Sequence, residues 1–241
     1  MLKVNEIFPA IQGEGKSQGK KVVFLRTALC NLHCIWCDTP YTWNWQGTPF
    51  AHPVKHRYED EVHPMTTHQV IIAIESFGIK AVVVSGGEPF LQQKDLFPVL
   101  EQLKSEGYWI EIETNGTIPI RSHEFNSVLD QINCSPKLSN SKDEERLRIR
   151  PKSLAQLETN NKTNFKFVIS LRRDAIEALE IIEEYGLKEV YFMPQGRTRK
   201  EIESATQYVK DLVEKCKKDS GVDIHFTTRQ HILDFDTKRG V

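Results

Sequence analysis

This chain has no long apolar run. None of its 241 residues falls in a stretch approaching the roughly 20 apolar residues that a membrane-spanning helix requires. The opening MLKVNEIFPAIQGEG lacks the apolar centre of a signal peptide. Charge of one sign is also scarce: 32 Lys and Arg oppose 33 Asp and Glu, for a formal net charge of −1. That balance provides no general attraction to nucleic acid or an anionic membrane. Cysteines number five, an odd count with three clustered, which argues against a secreted disulfide framework. No lipid-anchor signal, internal repeat or low-complexity tract is present. The expectation is a single cytoplasmic domain over residues 1–241, with no membrane or nucleic-acid partner.

Three of the cysteines, Cys30, Cys34 and Cys37, fall within the run CNLHCIWCD. Thiols at this density ligate metal. Iron–sulfur clusters normally take four cysteines, so three leave a position open to a small molecule. Two other readings stand beside this one. An apolar helical stripe is interrupted by Asn31 and His33 and closely followed by Pro40. A structural zinc site would add His33 as a fourth ligand. Cys134 and Cys216 are isolated and read as packing residues.

Apolar runs and amphipathic segments alternate along the rest of the chain. Strands are expected at Lys21–Thr27, Lys80–Ser85, Tyr108–Glu113, Leu129–Ser135, Asn164–Ser170, Glu189–Pro194 and Asp223–Thr227. Thr66 and Gln69 form a capping-box pair ahead of a helix that places Val70, Ile71, Ile74 and Phe77 on one face and ends at Gly78. Further helices carry Leu96–Leu103, Asp174–Tyr185 and Arg199–Lys217. Residues 41–65 read as a long inserted loop, the histidines in and just after it (His52, His56, His63 and His68) as solvated, and Trp43 and Trp45 as a pocket wall or subunit contact. Asn140–Lys152 reads as a solvated connection. Strand–helix alternation implies a mainly parallel sheet with its chemistry at the C-terminal strand ends. GGEP at Gly86–Pro89, TNG at Thr114–Gly116, SPK at Ser135–Lys137 and MPQG at Met193–Gly196 all follow such strands.

CNLHCIWC, with Trp36 before the last cysteine, and GGEP together resemble the radical S-adenosylmethionine enzymes. That resemblance implies a [4Fe–4S] cluster on Cys30, Cys34 and Cys37, whose open iron chelates S-adenosylmethionine. An electron from the cluster cleaves the sulfonium, and the resulting 5′-deoxyadenosyl radical removes a substrate hydrogen. IFPAIQGEG, Arg26, CDT at Cys37–Thr39, SGGEP, ETNGT, SPK and the ending KRGV further resemble the 7-carboxy-7-deazaguanine synthase family. In that family, 6-carboxy-5,6,7,8-tetrahydropterin is rearranged to 7-carboxy-7-deazaguanine with loss of ammonia, a step toward queuosine and other 7-deazapurines. Mg²⁺, an incomplete β/α barrel of six or seven mainly parallel strands, a homodimer and a flavodoxin- or ferredoxin-type electron donor are implied with it.

The resemblance also assigns residues. Ile11, Gln12, Gly13 and Glu14 would meet the pterin edge, Arg26 its carboxylate and Ser85 its ring. Val241 would contribute its terminal carboxylate, although HILDFDTKRGV departs from the Trp-Gly-Asn ending of some members. Around S-adenosylmethionine it implies Trp36, Cys37, Asp38, Gly87 and Glu88 from the first loops. Thr114, Asn115, Ser135, Pro136, Lys137 and Gln195 would come from later ones. Thr39 would offer its hydroxyl to Mg²⁺. Glu88 is expected to accept from an ammonium group. A radical activase would share the cysteines and GGEP without needing QGEG, and a non-enzymatic metal-binding module would need neither.

Overall fold

Seven apolar runs form parallel strands, at the upper end of the expected six or seven. The structure is a computed structural model that describes Met1–Gly240. Val241, expected to reach the substrate, lies outside the described residues. The strands are β1 (Leu2–Ile11), β2 (Lys21–Thr27), β3 (His63–Met65), β4 (Ala81–Gly86), β5 (Trp109–Thr114), β6 (Gln131–Cys134), β7 (Thr163–Ile169), β8 (Val190–Pro194) and β9 (Ile224–Phe226). Among the described residues they make one sheet in the order β3-β1-β2-β4-β5-β6-β7-β8-β9. Every pairing from β2 to β9 is parallel. The helices are α1 (Tyr58–Glu61), α2 (Thr67–Glu75), α3 (Gln93–Ser105), α4 (His123–Ser127), α5 (Glu145–Arg148), α6 (Pro151–Glu158), α7 (Arg172–Tyr185), α8 (Arg199–Ser220) and α9 (Gln230–Phe235). The sheet curls without β1 and β9 pairing, giving the expected incomplete barrel.

Burial explains the strand runs. Every residue of β7 is buried, and Phe167 meets Phe192 of β8 edge to face at 6.3 Å. Full burial of each such ring stabilises by roughly 1.5–3 kcal/mol. The Thr66–Gln69 capping box forms as expected at the start of α2.

Several elements differ from the sequence reading. β1 is a ten-residue strand antiparallel to β2 that no apolar run announced. Its Pro9 is tolerated because β3 covers only Leu2–Val4, so the proline's missing N–H faces an open edge. Asn140–Lys152 is not simply solvated. Ser141 and Arg148 are buried in it, and Pro151 begins α6 at the position where a missing N–H costs nothing. Phe77 is exposed, because α2 ends at Glu75 before the apolar face reaches it. His52 is buried against Trp43 rather than solvated.

The QGEG turn spans the gap between the first and last elements. Gly15 N donates to Thr227 Oγ1 at 2.8 Å, and Gln230 N donates to Gly13 O at 2.9 Å. A side chain at position 13 would sit 2.6 Å from His231 Nδ1 and 2.8 Å from His231 N, so this approach requires glycine.

A candidate cluster and substrate cavity

The C-terminal ends of the parallel strands surround a cavity of about 1190 Å³, open solvent at its mouth included. Cys30, Cys34 and Cys37 all line it from the loop after β2. Burial pushes each thiol above its ordinary range, so binding iron there must displace protons. Among the described residues, no three His, Cys, Asp or Glu side chains close around a point suited to one metal ion. A cubane makes a different demand, since each thiolate binds its own iron. His33 does not turn to the thiols as a zinc ligand; it stacks on Phe50 at 3.5 Å between ring centroids.

The GGEP loop runs directly beside the cysteine loop. A Cβ on Gly86 would land on the backbone of Thr27, and one on Gly87 on the Leu29 carbonyl and within 3.0 Å of Cys30 Cβ. The two glycines thus let the GGEP loop seat directly against the cysteine loop, as a cradle in the cavity wall beside Cys30. Glu88 does not face the cavity as expected. It is fully buried and accepts from Phe90 N at 3.0 Å, Thr114 Oγ1 at 2.9 Å and Asn115 N at 2.7 Å. Asn115 Nδ2 continues the chain to Asn31 Oδ1 at 3.0 Å. Glu88 thus ties the GGEP, TNG and cysteine loops together, and its carboxylate is spent on holding the site.

Other expected residues reach the cavity. Ser85, Gly87, Thr114, Asn115, Ser135 and Lys137 line it, as do Trp36, Asp38 and Thr39. Lys137 Nζ donates to Ser135 Oγ at 2.9 Å and lies 5.7 Å from the centre of the Trp36 ring. Pro136 and Gln195 are not on the cavity wall. Gln195 N donates to Ile169 O, which turns its loop along the strand end.

Ile11, Gln12, Gly13, Glu14 and Arg26 line the same cavity. Arg26 spends its Nε on Glu6 at 2.7 Å, which fixes the guanidinium plane beside the cavity. Phe8 and Phe24, stacked at 5.4 Å, form an adjoining apolar wall. Beneath Glu14 sits a charge network that sequence reasoning missed. Lys166 Nζ bonds Glu14 Oε2 at 2.5 Å and Glu113 Oε2 at 3.1 Å. Arg229 Nε bonds Glu14 Oε1 at 3.0 Å, and its NH2 group bonds Asp38 Oδ2. Burial opposes ionisation of Glu14, but Lys166 and Arg229 outweigh it and hold the carboxyl well below its usual range. Deeper still, burial first and Glu113 second push Glu111 up to about 8, despite donors from Ser17 and Gln12.

Among the missed lining residues, Glu113 comes from β5, Lys166 from β7, and Arg229 and His231 from the start of α9. Only Lys166 carried a signal, as a lone cation inside the buried run TNFKFVI.

Comparison with known proteins accords with this arrangement. The Radical SAM superfamily model matches residues 24–209. A 7-carboxy-7-deazaguanine synthase of Rhodopirellula baltica is 31% identical, over 88% of this chain and 80% of that protein. This chain belongs to the 7-carboxy-7-deazaguanine synthase family of the radical SAM superfamily. Another member, from Halobacterium salinarum, is also 31% identical, over 88% of this chain and 84% of its own. The crystal structure of QueE from Escherichia coli shares the fold at a TM-score of 0.70 and 23% identity, covering 95% of this chain and 94% of that one. Membership in the family implies the [4Fe–4S] cluster and S-adenosylmethionine, and the three thiols with the GGEP cradle fit both.

Proposed function

We propose that this protein converts 6-carboxy-5,6,7,8-tetrahydropterin to 7-carboxy-7-deazaguanine, a carbon–nitrogen lyase reaction in queuosine and 7-deazapurine synthesis. The observation that carries this reading is one cavity lined by both the three cluster-type thiols and a carboxylate-and-ring recognition set. When bound, the cluster and S-adenosylmethionine supply one-electron cleavage of the sulfonium and hydrogen abstraction. The chain's own residues bind and orient. Arg26 holds the substrate carboxylate with the planar fork suited to it. The ionised Glu14 accepts the ring's N–H donors, Gln12 anchors the turn beside it through Glu111 and Glu113, and Gly13 lets the backbone approach. Phe8 and Phe24 keep water from that side of the ring. Ser85 faces the substrate, while Gly87, Ser135 and Lys137 hold the cofactor.

Cys30, Cys34 and Cys37 would hold the cluster. Thr39 would give its hydroxyl to Mg²⁺; Thr39 Oγ1 lies at the cavity edge, 3.6 Å from Cys37 Sγ. The reading also includes a single domain, supported by one sheet running from Leu2 to Phe226. A homodimer, a cytoplasmic setting and a flavodoxin- or ferredoxin-type donor belong to the same proposal. Among the described residues no helix is long and apolar enough to cross a membrane.

The test supplies reduced, cluster-loaded protein with S-adenosylmethionine, Mg²⁺ and the carboxytetrahydropterin. The deazapurine should appear by mass. Cleavage of S-adenosylmethionine without that product would reject the substrate assignment.

A further inference from the structure

The inserted segment 41–65 packs its aromatic side chains against the cysteine loop. Trp43 is 3% exposed and donates from its indole Nε1 to Cys37 Sγ at 3.4 Å. Three rings set its orientation edge-on: His33 at 5.1 Å, Phe50 at 5.6 Å and His52 at 5.9 Å. The neighbouring Asn44 is fully buried and donates to the carbonyls of His52 and Val54, so the segment is cross-linked to itself behind the indole. An N–H held this firmly on a sulfur is an electrostatic device as well as a packing contact.

We propose that Trp43 makes the cluster easier to reduce, by donating a hydrogen bond to the thiolate of Cys37. This rests on the reading of Cys37 as a cluster ligand. Reduction adds one negative charge shared among the irons and their sulfurs. A donor aimed at a ligating sulfur stabilises the reduced state more than the oxidised one and raises the potential. The electron comes from an external low-potential one-electron donor, and the indole keeps its proton. Trp43 acts on the cluster through Cys37, so it is a positioning residue. The inserted segment is then the scaffold that aims it.

Two replacements isolate the N–H. Trp43→Phe keeps an aromatic ring, and benzothienylalanine at position 43 keeps the bicyclic shape with sulfur in place of N–H. Each cluster-loaded full-length protein is titrated anaerobically with dithionite and followed by electron paramagnetic resonance, with iron content measured in parallel. At a fixed poise, the reduced-to-oxidised ratio should fall about tenfold in both, a downshift of about 59 mV for a one-electron couple. Iron content should match wild type in the benzothienyl protein. A wild-type midpoint in that protein would overturn the proposal while leaving the function intact. A wild-type protein that assembles no [4Fe–4S] cluster would instead overturn the ligand reading on which it rests.

Discussion

Lys166→Met tests whether the charge network beneath the cavity holds the substrate-facing carboxylate. Methionine keeps the length and most of the packing of lysine but removes the ammonium from a side chain that is 4% exposed. Glu14 and Glu113 lose partners at 2.5 and 3.1 Å. Breaking a buried pair while leaving the opposite charge in place costs about 3–5 kcal/mol. Here the stranded carboxylates keep some support: Glu14 retains Arg229 at 3.0 Å, and Glu113 retains Asn133 Nδ2 at 2.9 Å. The loss should therefore lie near the low end, about 3 kcal/mol, read by urea unfolding at pH 7.5. The pH dependence has a definite sign. Glu14 has a folded pKa below its unfolded value of 4.5, so its stabilisation is present above that pH and lost as the pH falls further. Without Lys166 the folded value rises, and the variant's deficit should shrink below pH 4.5. The double variant Lys166→Met/Glu113→Gln removes one stranded charge and should recover at least about 1 kcal/mol. A single-variant loss under about 1 kcal/mol, or no recovery in the double variant, would refute the reasoning.

Two other perturbations address the same cavity. Glu111 titrates near 8 when folded and 4.5 when unfolded, so wild-type stability should decline as pH rises through that window. Glu111→Gln, compared by urea unfolding at pH 5 and 8, should gain on wild type as pH rises; an unchanged difference would count against a neutral Glu111. Arg26→Lys replaces a fixed fork with a mobile point charge. It should raise KM for the pterin by roughly tenfold or more while leaving kcat and S-adenosylmethionine binding near wild type. An unchanged KM would remove Arg26 from carboxylate recognition.

The parts of the site that were legible in the sequence are those where one local stretch carries its own chemistry. The cysteine loop, GGEP, TNG and SPK could be read because each is a short loop after an apolar strand. Glu88 misled for the same reason: its type suggests ligand binding, but only the fold reveals Thr114 and Asn115 waiting for its two oxygens. β1 escaped notice because beyond Val4 it is uncovered by β3, and a strand with one open side needs little apolar alternation and can hold Pro9. Asn140–Lys152 looked solvated because its charges are conspicuous, yet Arg148 is buried with a guanidinium pair to Glu177 at 2.8 Å.

The sequence by itself determined the parallel sheet, the strand ends that carry the chemistry and the three-thiol loop. Those follow from periodicity and from residue types close together in the chain. Only the tertiary structure decided which charges share the cavity with the thiols. Glu14, Lys166 and Arg229 are more than 60 residues apart in every pairing, and nothing local compels two buried cations to meet one carboxylate. Their meeting depends on sheet curvature that brings the QGEG turn across the gap to Thr227 and Gln230. Burial at that crossing then removes water and lets the charges govern one another.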